Sequence, residues 1–179
     1  MAAAILPVRI DELLESSDDT APRVVRERRE LERAIIDWEQ ETRRLGRVPT
    51  LMTLNVSEMT SEKWVYRFII AADPVAERCT LLFYGARFAV LMGLPEKPDI
   101  SVPMVEQIPP RYVPVFTTGC IDATGQGAPV RMQGAVERED GRQELYRTVF
   151  IPFRVKPNGQ LPLAFGAFNC RVAVAERQA

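Results

Sequence analysis

The stretch VRMQGAVEREDGRQELYRTVFIPFRVKPNGQLPLAFGAFNCRVAV, residues 130–174, decides the fold. Residues 130–138, 144–153 and 161–174 within it read as strands, rich in alternating apolar and β-branched or aromatic residues. Between the first two stands Glu139-Asp140-Gly141-Arg142, whose Asp-Gly step signals a hairpin turn. Between the last two, Lys156-Pro157-Asn158-Gly159 breaks the chain again. Connections this short join antiparallel neighbours, because a parallel pair needs a long crossover. The three strands therefore form a meander onto which the upstream chain packs.

Alternation assigns the faces. Val130, Met132, Gly134 and Val136 share one side of the first strand, while Arg131, Gln133 and Glu137 lie on the other. The second strand is apolar on both sides, with Tyr146, Thr148 and Phe150 opposed to Leu145, Val149, Ile151 and Phe153. Such a strand is covered by helices on one face and by something further on the other. In the third strand Phe165 and Phe168 face opposite ways, and Gly166 permits close approach of a backbone or a ligand.

Upstream, residues 64–71 and 77–85 read as two more strands separated at Asp73-Pro74, and residues 86–98 as a helical segment closed by Gly93 and Pro95. A helix starting at Pro109 or Pro110 runs to about Ala123, stopped by Gly125 and Gly127. Residues 50–59 carry weak signals for a loop or short helix. The pattern is α+β: a five-stranded antiparallel sheet whose first strand lies beside both the second and the last, with helices on one face. Ahead of this domain, assigned to 49–179, stand a segment over 1–19 and a long charged helix over 20–48. Leu31, Ile35 and Trp38 form a narrow apolar stripe on that helix, which either covers the domain's own sheet or makes a dimer or partner contact.

Composition narrows the function. The formal charge of −1 supplies no field for nucleic acid or an anionic membrane, and no apolar run reaches membrane-spanning length. The apolar part of the N-terminus is too short for a secretion signal, so a cytoplasmic location is expected. There is no histidine, which removes histidine-activated nucleophiles and histidine-ligated haem. Cys79, Cys120 and Cys170 are far apart in sequence, which supports neither a disulfide framework nor a zinc site and favours buried thiols. No metal and no cofactor is expected.

Residues 66–94, YRFIIAADPVAERCTLLFYGARFAVLMGL, with GQGAPVRMQGAVERE (125–139) and LYRTVFIPF (145–153), resemble a PAS domain, and more narrowly the stand-alone PAS-like family of alphaproteobacteria. The resemblance spans about residues 60–174. It implies a small sensor or adaptor of bacterial signalling rather than a catalyst, with middle helices over a small internal cavity. The flavin-adduct motif of photosensory relatives is missing from the middle helices; Asn169-Cys170-Arg171 falls in the last strand instead.

The residues themselves leave alternatives open. Tyr66, Phe68, Phe83, Phe116, Met132, Phe150 and Phe165 line either a filled core or a pocket for a small apolar ligand. Gly134 and Gly166 are the main sequence reason for the pocket. No catalytic residue is assigned: Glu137, Glu139, Asp140 and Glu144 surround one hairpin, where carboxylates are ordinarily solvated. Two other classes compete with a sensor or a homodimeric or partner-binding signalling module. One is an NTF2-like small-molecule enzyme, which needs an inward acid beside a tyrosine, such as Asp122 with Tyr146. The other is an oligomerising scaffold with a dry core.

Overall fold

A computed structural model describes residues 32, 35–36, 38–50, 64–156, 158–159 and 161–173 of the chain. The expected segment 1–19, most of the expected helix 20–48 before Ile35, Leu31, and the stretch 51–63 lie outside the described residues. The chain divides into two compact units, Met1–Ala34 and Ile35–Ala179, and the sheet with its helical layer belongs to the second.

Five strands form one antiparallel sheet: β1 (Arg67–Ala71), β2 (Thr80–Tyr84), β3 (Val130–Glu137), β4 (Gln143–Arg154) and β5 (Pro162–Val172), in the order β2-β1-β5-β4-β3. The expected meander is present: Phe150 pairs with Val130 on one side and Gly166 on the other, and β1 joins β5 through Phe68 opposite Gly166. Gly141, at φ 77°, turns the β3–β4 hairpin, a conformation that a side chain would strain. First and last strands meet at the centre of the sheet.

The helical layer is α2 (Ala86–Met92), α3 (Met104–Gln107) and α4 (Val113–Gln126), with single 3-10 turns at Ala76–Arg78 and Pro110–Tyr112. The prolines around the short α3 give no sign of it in the sequence. In α4, Pro114 fits a first turn that needs no amide donor, and Val115, Phe116, Gly119, Cys120 and Ala123 form the buried stripe. Phe68, Phe88, Phe116, Phe150 and Phe168 meet beneath it, with ring centroids of 5.1 Å for Phe68–Phe116 and 5.5 Å for Phe116–Phe150. Gly119 is the residue that lets the helix come this close, because a Cβ there would overlap the Phe150 ring.

The second face of the sheet is also covered. Trp64 meets Phe83 edge-on and Phe165 at a tilt, with ring centroids 5.8 and 5.2 Å apart, and Val149, Ile151, Phe153 and Leu163 are buried. α1, helical over 38–45 and at 35–36, reaches β4 where β3 has ended. There Pro152 needs no donor partner, its carbonyl accepts the Trp38 indole N–H at 2.7 Å, and Arg154 N–H bonds Pro49 O at 3.0 Å. Ile35 and Trp38 are buried inside their own chain. Both belong to the second unit, and Leu31, the third position of the stripe, lies outside the described residues.

Candidate functional site

Glu144, near the start of β4, is buried at 4% exposure among the described residues, on the helix-facing side with Tyr146 and Thr148. A carboxylate costs several kcal/mol to bury unless donors replace water, and here four side chains converge on it. Tyr112 Oη donates to Oε2 at 2.9 Å and Arg111 Nε at 3.1 Å, both from the 3-10 turn that leads into α4. Arg138 Nη1 donates to Oε1 at 3.3 Å from the end of β3, and Cys170 Sγ at 3.4 Å from β5. One side chain thus ties the start of the covering helix to three strands.

The electrostatics follow from those contacts. Burial raises the Glu144 pKa, but donation from Tyr112, Cys170 and Arg111 outweighs it, and the carboxyl titrates below its ordinary value. Burial, then the neighbouring Cys170 and Glu144, push the Tyr112 phenol up. Burial and the Glu144 charge push the Cys170 thiol up to about 12. Both donors stay protonated at neutral pH, which suits holding a carboxylate and unsuits nucleophilic attack.

A surface cleft of about 310 Å³ opens directly beside this cluster, lined by Pro110, Arg111, Glu137, Arg138 and Glu139. Arg138 Nε is buried and makes no hydrogen bond, although Asp140 Oδ2 lies 3.4 Å away. Asp140 is itself held at a pKa of about 2 by hydrogen bonds from the Arg142 side chain and backbone. A second depression, about 170 Å³, lies among Val48, Thr124, Gly125, Gln126, Phe153 and Arg154.

The seven aromatic and Met positions expected around one pocket do not form a single cluster. Phe68, Phe116 and Phe150 are in mutual ring contact under α4, and Met132 packs at the edge of that core. Phe83 and Phe165 are on the opposite face with Trp64, and Tyr66 is half-buried beside β1. The spaces beside the glycines are occupied: a Cβ on Gly166 would overlap Val149 O and the Phe68 ring, and one on Gly134 would stand 3.1 Å from Tyr146 Oη. Asp122 is half-buried on α4 and shares no hydrogen bond with Tyr146 among the described residues, so the acid and tyrosine of the enzyme reading are not joined. Among the described residues no three side chains gather as metal ligands, and no helix is long and apolar enough to cross a membrane.

Sequence reasoning alone passes over Glu144. The signal for it is nonetheless present: it shares strand parity with Tyr146, Thr148 and Phe150, and that parity places it on the helix face.

No protein-family model matches the chain, and no curated protein matches it. Solved structures do resemble it. The PAS domain of a protein from Colwellia psychrerythraea is 15% identical with a TM-score of 0.44, over 66% of this chain and 95% of that one. The light-state structure of the blue-light photoreceptor Aureochrome1 LOV is 16% identical with a TM-score of 0.40, over 69% and 91%. The PAS domain of Bordetella pertussis BvgS is 15% identical with a TM-score of 0.39, over 62% and 79%. At these scores the fold rests on the chain's own sheet order and helical layer.

Proposed function

We propose that the chain is a non-catalytic sensory or protein-interaction module of bacterial signalling, in which the helical cover is held to the sheet by the Glu144 cluster. The resemblance of residues 60–174 to PAS domains supplies the class. The observation that carries the reading is the position of Glu144: a buried charge that bridges cover and sheet, beside an open cleft, with the remainder of the cover held by apolar rings. A contact at Pro110, Arg111 or Arg138 that competes for the carboxylate changes the attachment of α4, which is how a ligand or partner with different affinity for two arrangements shifts their populations.

A protein partner fits this reading better than a small apolar ligand, because the rings under α4 fill their own space and a guest has to displace one of them. The test is affinity capture from the organism that makes the chain, comparing wild type with Glu144→Ala after circular dichroism has shown both to be folded. A defined partner retained by wild type and depleted by the variant is expected. The same partners with both, or small-molecule turnover that disappears with Asp122→Asn, overturns the reading in favour of a rigid scaffold or an enzyme.

A further inference from the structure

β2 and β3 are the two edges of the sheet, and they differ. β2 is 5 residues long and its pairing with β1 slips between Ile69 and Ile70, a short and irregular edge that resists further pairing. β3 runs for 8 residues without a proline and without a break in its register against β4. Across the hairpin Arg138 N–H bonds Arg142 O at 2.9 Å, and bonded positions recur at every second residue of an antiparallel ladder. Val136, Gly134, Met132 and Val130 therefore direct their backbone groups at β4. The far side of β4 agrees: Ala173 N–H bonds Gln143 O at 2.8 Å, so its odd-numbered residues serve β5 and its even-numbered ones serve β3. Arg131, Gln133, Ala135 and Glu137 are left with N–H and C=O groups turned outward. All are exposed, and among the described residues no hydrogen bond reaches those groups. Nor does Arg131 or Glu137 take part in an ion pair among the described residues.

We propose that this edge is the docking surface for a second copy of the same chain, added antiparallel across a two-fold axis at Gly134, so that the sheets of both copies continue as one. The contact uses the same residues on each side, so it closes at two copies, and the short β2 edge does not extend it. Apart from Glu137, which also borders the cleft, none of these residues belongs to the Glu144 cluster, and the pairing needs no change in α4.

Charge complementarity selects the occupant and the register. With Gly134 opposite Gly134, Arg131 of each copy stands opposite Glu137 of the other and Gln133 opposite Ala135, so every outward amide and carbonyl meets its complement. On the helix-facing side Met132 comes opposite Val136, which joins apolar side chains that each copy leaves half-buried. An axis at Gln133 instead sets Arg131 against Ala135, and an axis at Ala135 sets it against Glu139, beyond the strand, with Gln133 against Glu137. Neither matches both charges within the ladder. Gly134 itself suits the axis, because opposed strands approach most closely at a pair that exchanges no hydrogen bonds, and no side chain stands there. Main-chain bonds supply the attraction, as in other strand additions, while the charges fix the register and exclude strands of the wrong pattern.

The experiment is analytical ultracentrifugation of the full chain from micromolar to millimolar concentration, with hydrogen exchange at both ends of the series. The expected result is a mass that rises toward twice that of the chain while the amides of Arg131, Gln133, Ala135 and Glu137 gain protection. Ala135→Pro removes an outward N–H and leaves the β4 ladder intact, so it is expected to keep the wild-type circular dichroism and stay monomeric. Arg131→Glu and Glu137→Arg, made separately, set like charges opposite each other and weaken the dimer by about tenfold; the two together restore it. Should Ala135→Pro fail to fold, the charge series decides, since exposed substitutions leave the fold alone. A chain that is monomeric throughout, a dimer that survives in folded Ala135→Pro, or a double exchange that fails to restore association overturns the proposal. Protection of the outward amides in a chain that stays monomeric assigns the edge to another segment of the same chain and overturns it as well.

Discussion

Tyr112 and Glu144, far apart in sequence, meet across 2.9 Å with the phenol donating to the carboxylate, and this bond fixes where α4 begins over the sheet. Removing the hydroxyl leaves a buried acceptor with its arginine and thiol donors still in place. Tyr112→Phe is expected to cost about 1 kcal/mol in urea denaturation. Glu144→Ala deletes the common acceptor, but Arg111 and Arg138 are partly exposed and regain water. Its cost is about 2 kcal/mol, below that of breaking a fully buried pair. Hydrogen exchange checks the location: protection falls over Pro110–Phe116 more than over β1 and β2.

The same carboxylate gives the protein an acid sensitivity. Its folded pKa is depressed, so its contribution is fully present above the ordinary glutamate value of about 4.3 and is lost as pH falls through the lower folded value. Wild type should lose more stability between about pH 5 and 3 than Glu144→Gln does. Denaturation midpoints of both chains across that range are the measurement. Parallel pH curves contradict a depressed Glu144.

Gly166 faces the backbone carbonyl of Val149 and the ring of Phe68, and Gly119 faces the ring of Phe150. A methyl group at Gly166 has to move a backbone atom in the middle of three paired strands, whereas one at Gly119 has to move a ring. Gly166→Ala is expected to destabilise by about 3 kcal/mol and Gly119→Ala by about 2 kcal/mol, at the upper part of the range for overpacked cores. Thermal unfolding of both variants tests the order.

Trp38 is buried beside β4 and donates its indole N–H to Pro152 O. Trp38→Phe keeps most of the area and loses the hydrogen bond, an expected cost of about 1 kcal/mol. Trp38→Ala is expected to cost about 3 kcal/mol through the cavity it leaves. Light scattering distinguishes this from an interface role, since packing inside the chain predicts lower stability with unchanged mass.

Where the sequence is readable, one physical rule dominates locally. The Asp140-Gly141 turn and the two-residue alternation are enough to assign the meander and the two-sided burial of β4. Helix ends are readable for the same reason, as at Gly93 and Gly127, where left-handed glycines terminate α2 and α4. The two glycines leave filled core and pocket open because a glycine marks a missing side chain without saying which neighbour enters the gap; Phe68 fills that at Gly166 and Tyr146 that at Gly134. Glu144 escapes notice because its position near a hairpin suggests solvent, while its parity points inward.

The order β2-β1-β5-β4-β3 has a consequence for how the chain is made. β1 is an early strand, yet one of its two hydrogen-bonded edges belongs to β5, whose residues, through Val172, emerge from the ribosome after every other strand. During synthesis β1 and β2 can pair only with each other, a two-stranded ribbon that is marginal in water. Phe68 and Ile70, completely buried in the finished sheet, then wait beside an open edge. The nascent chain is therefore most exposed to misassociation in the interval before its last strand arrives, and the insertion of β5 between β1 and β4 is the step that ends that interval.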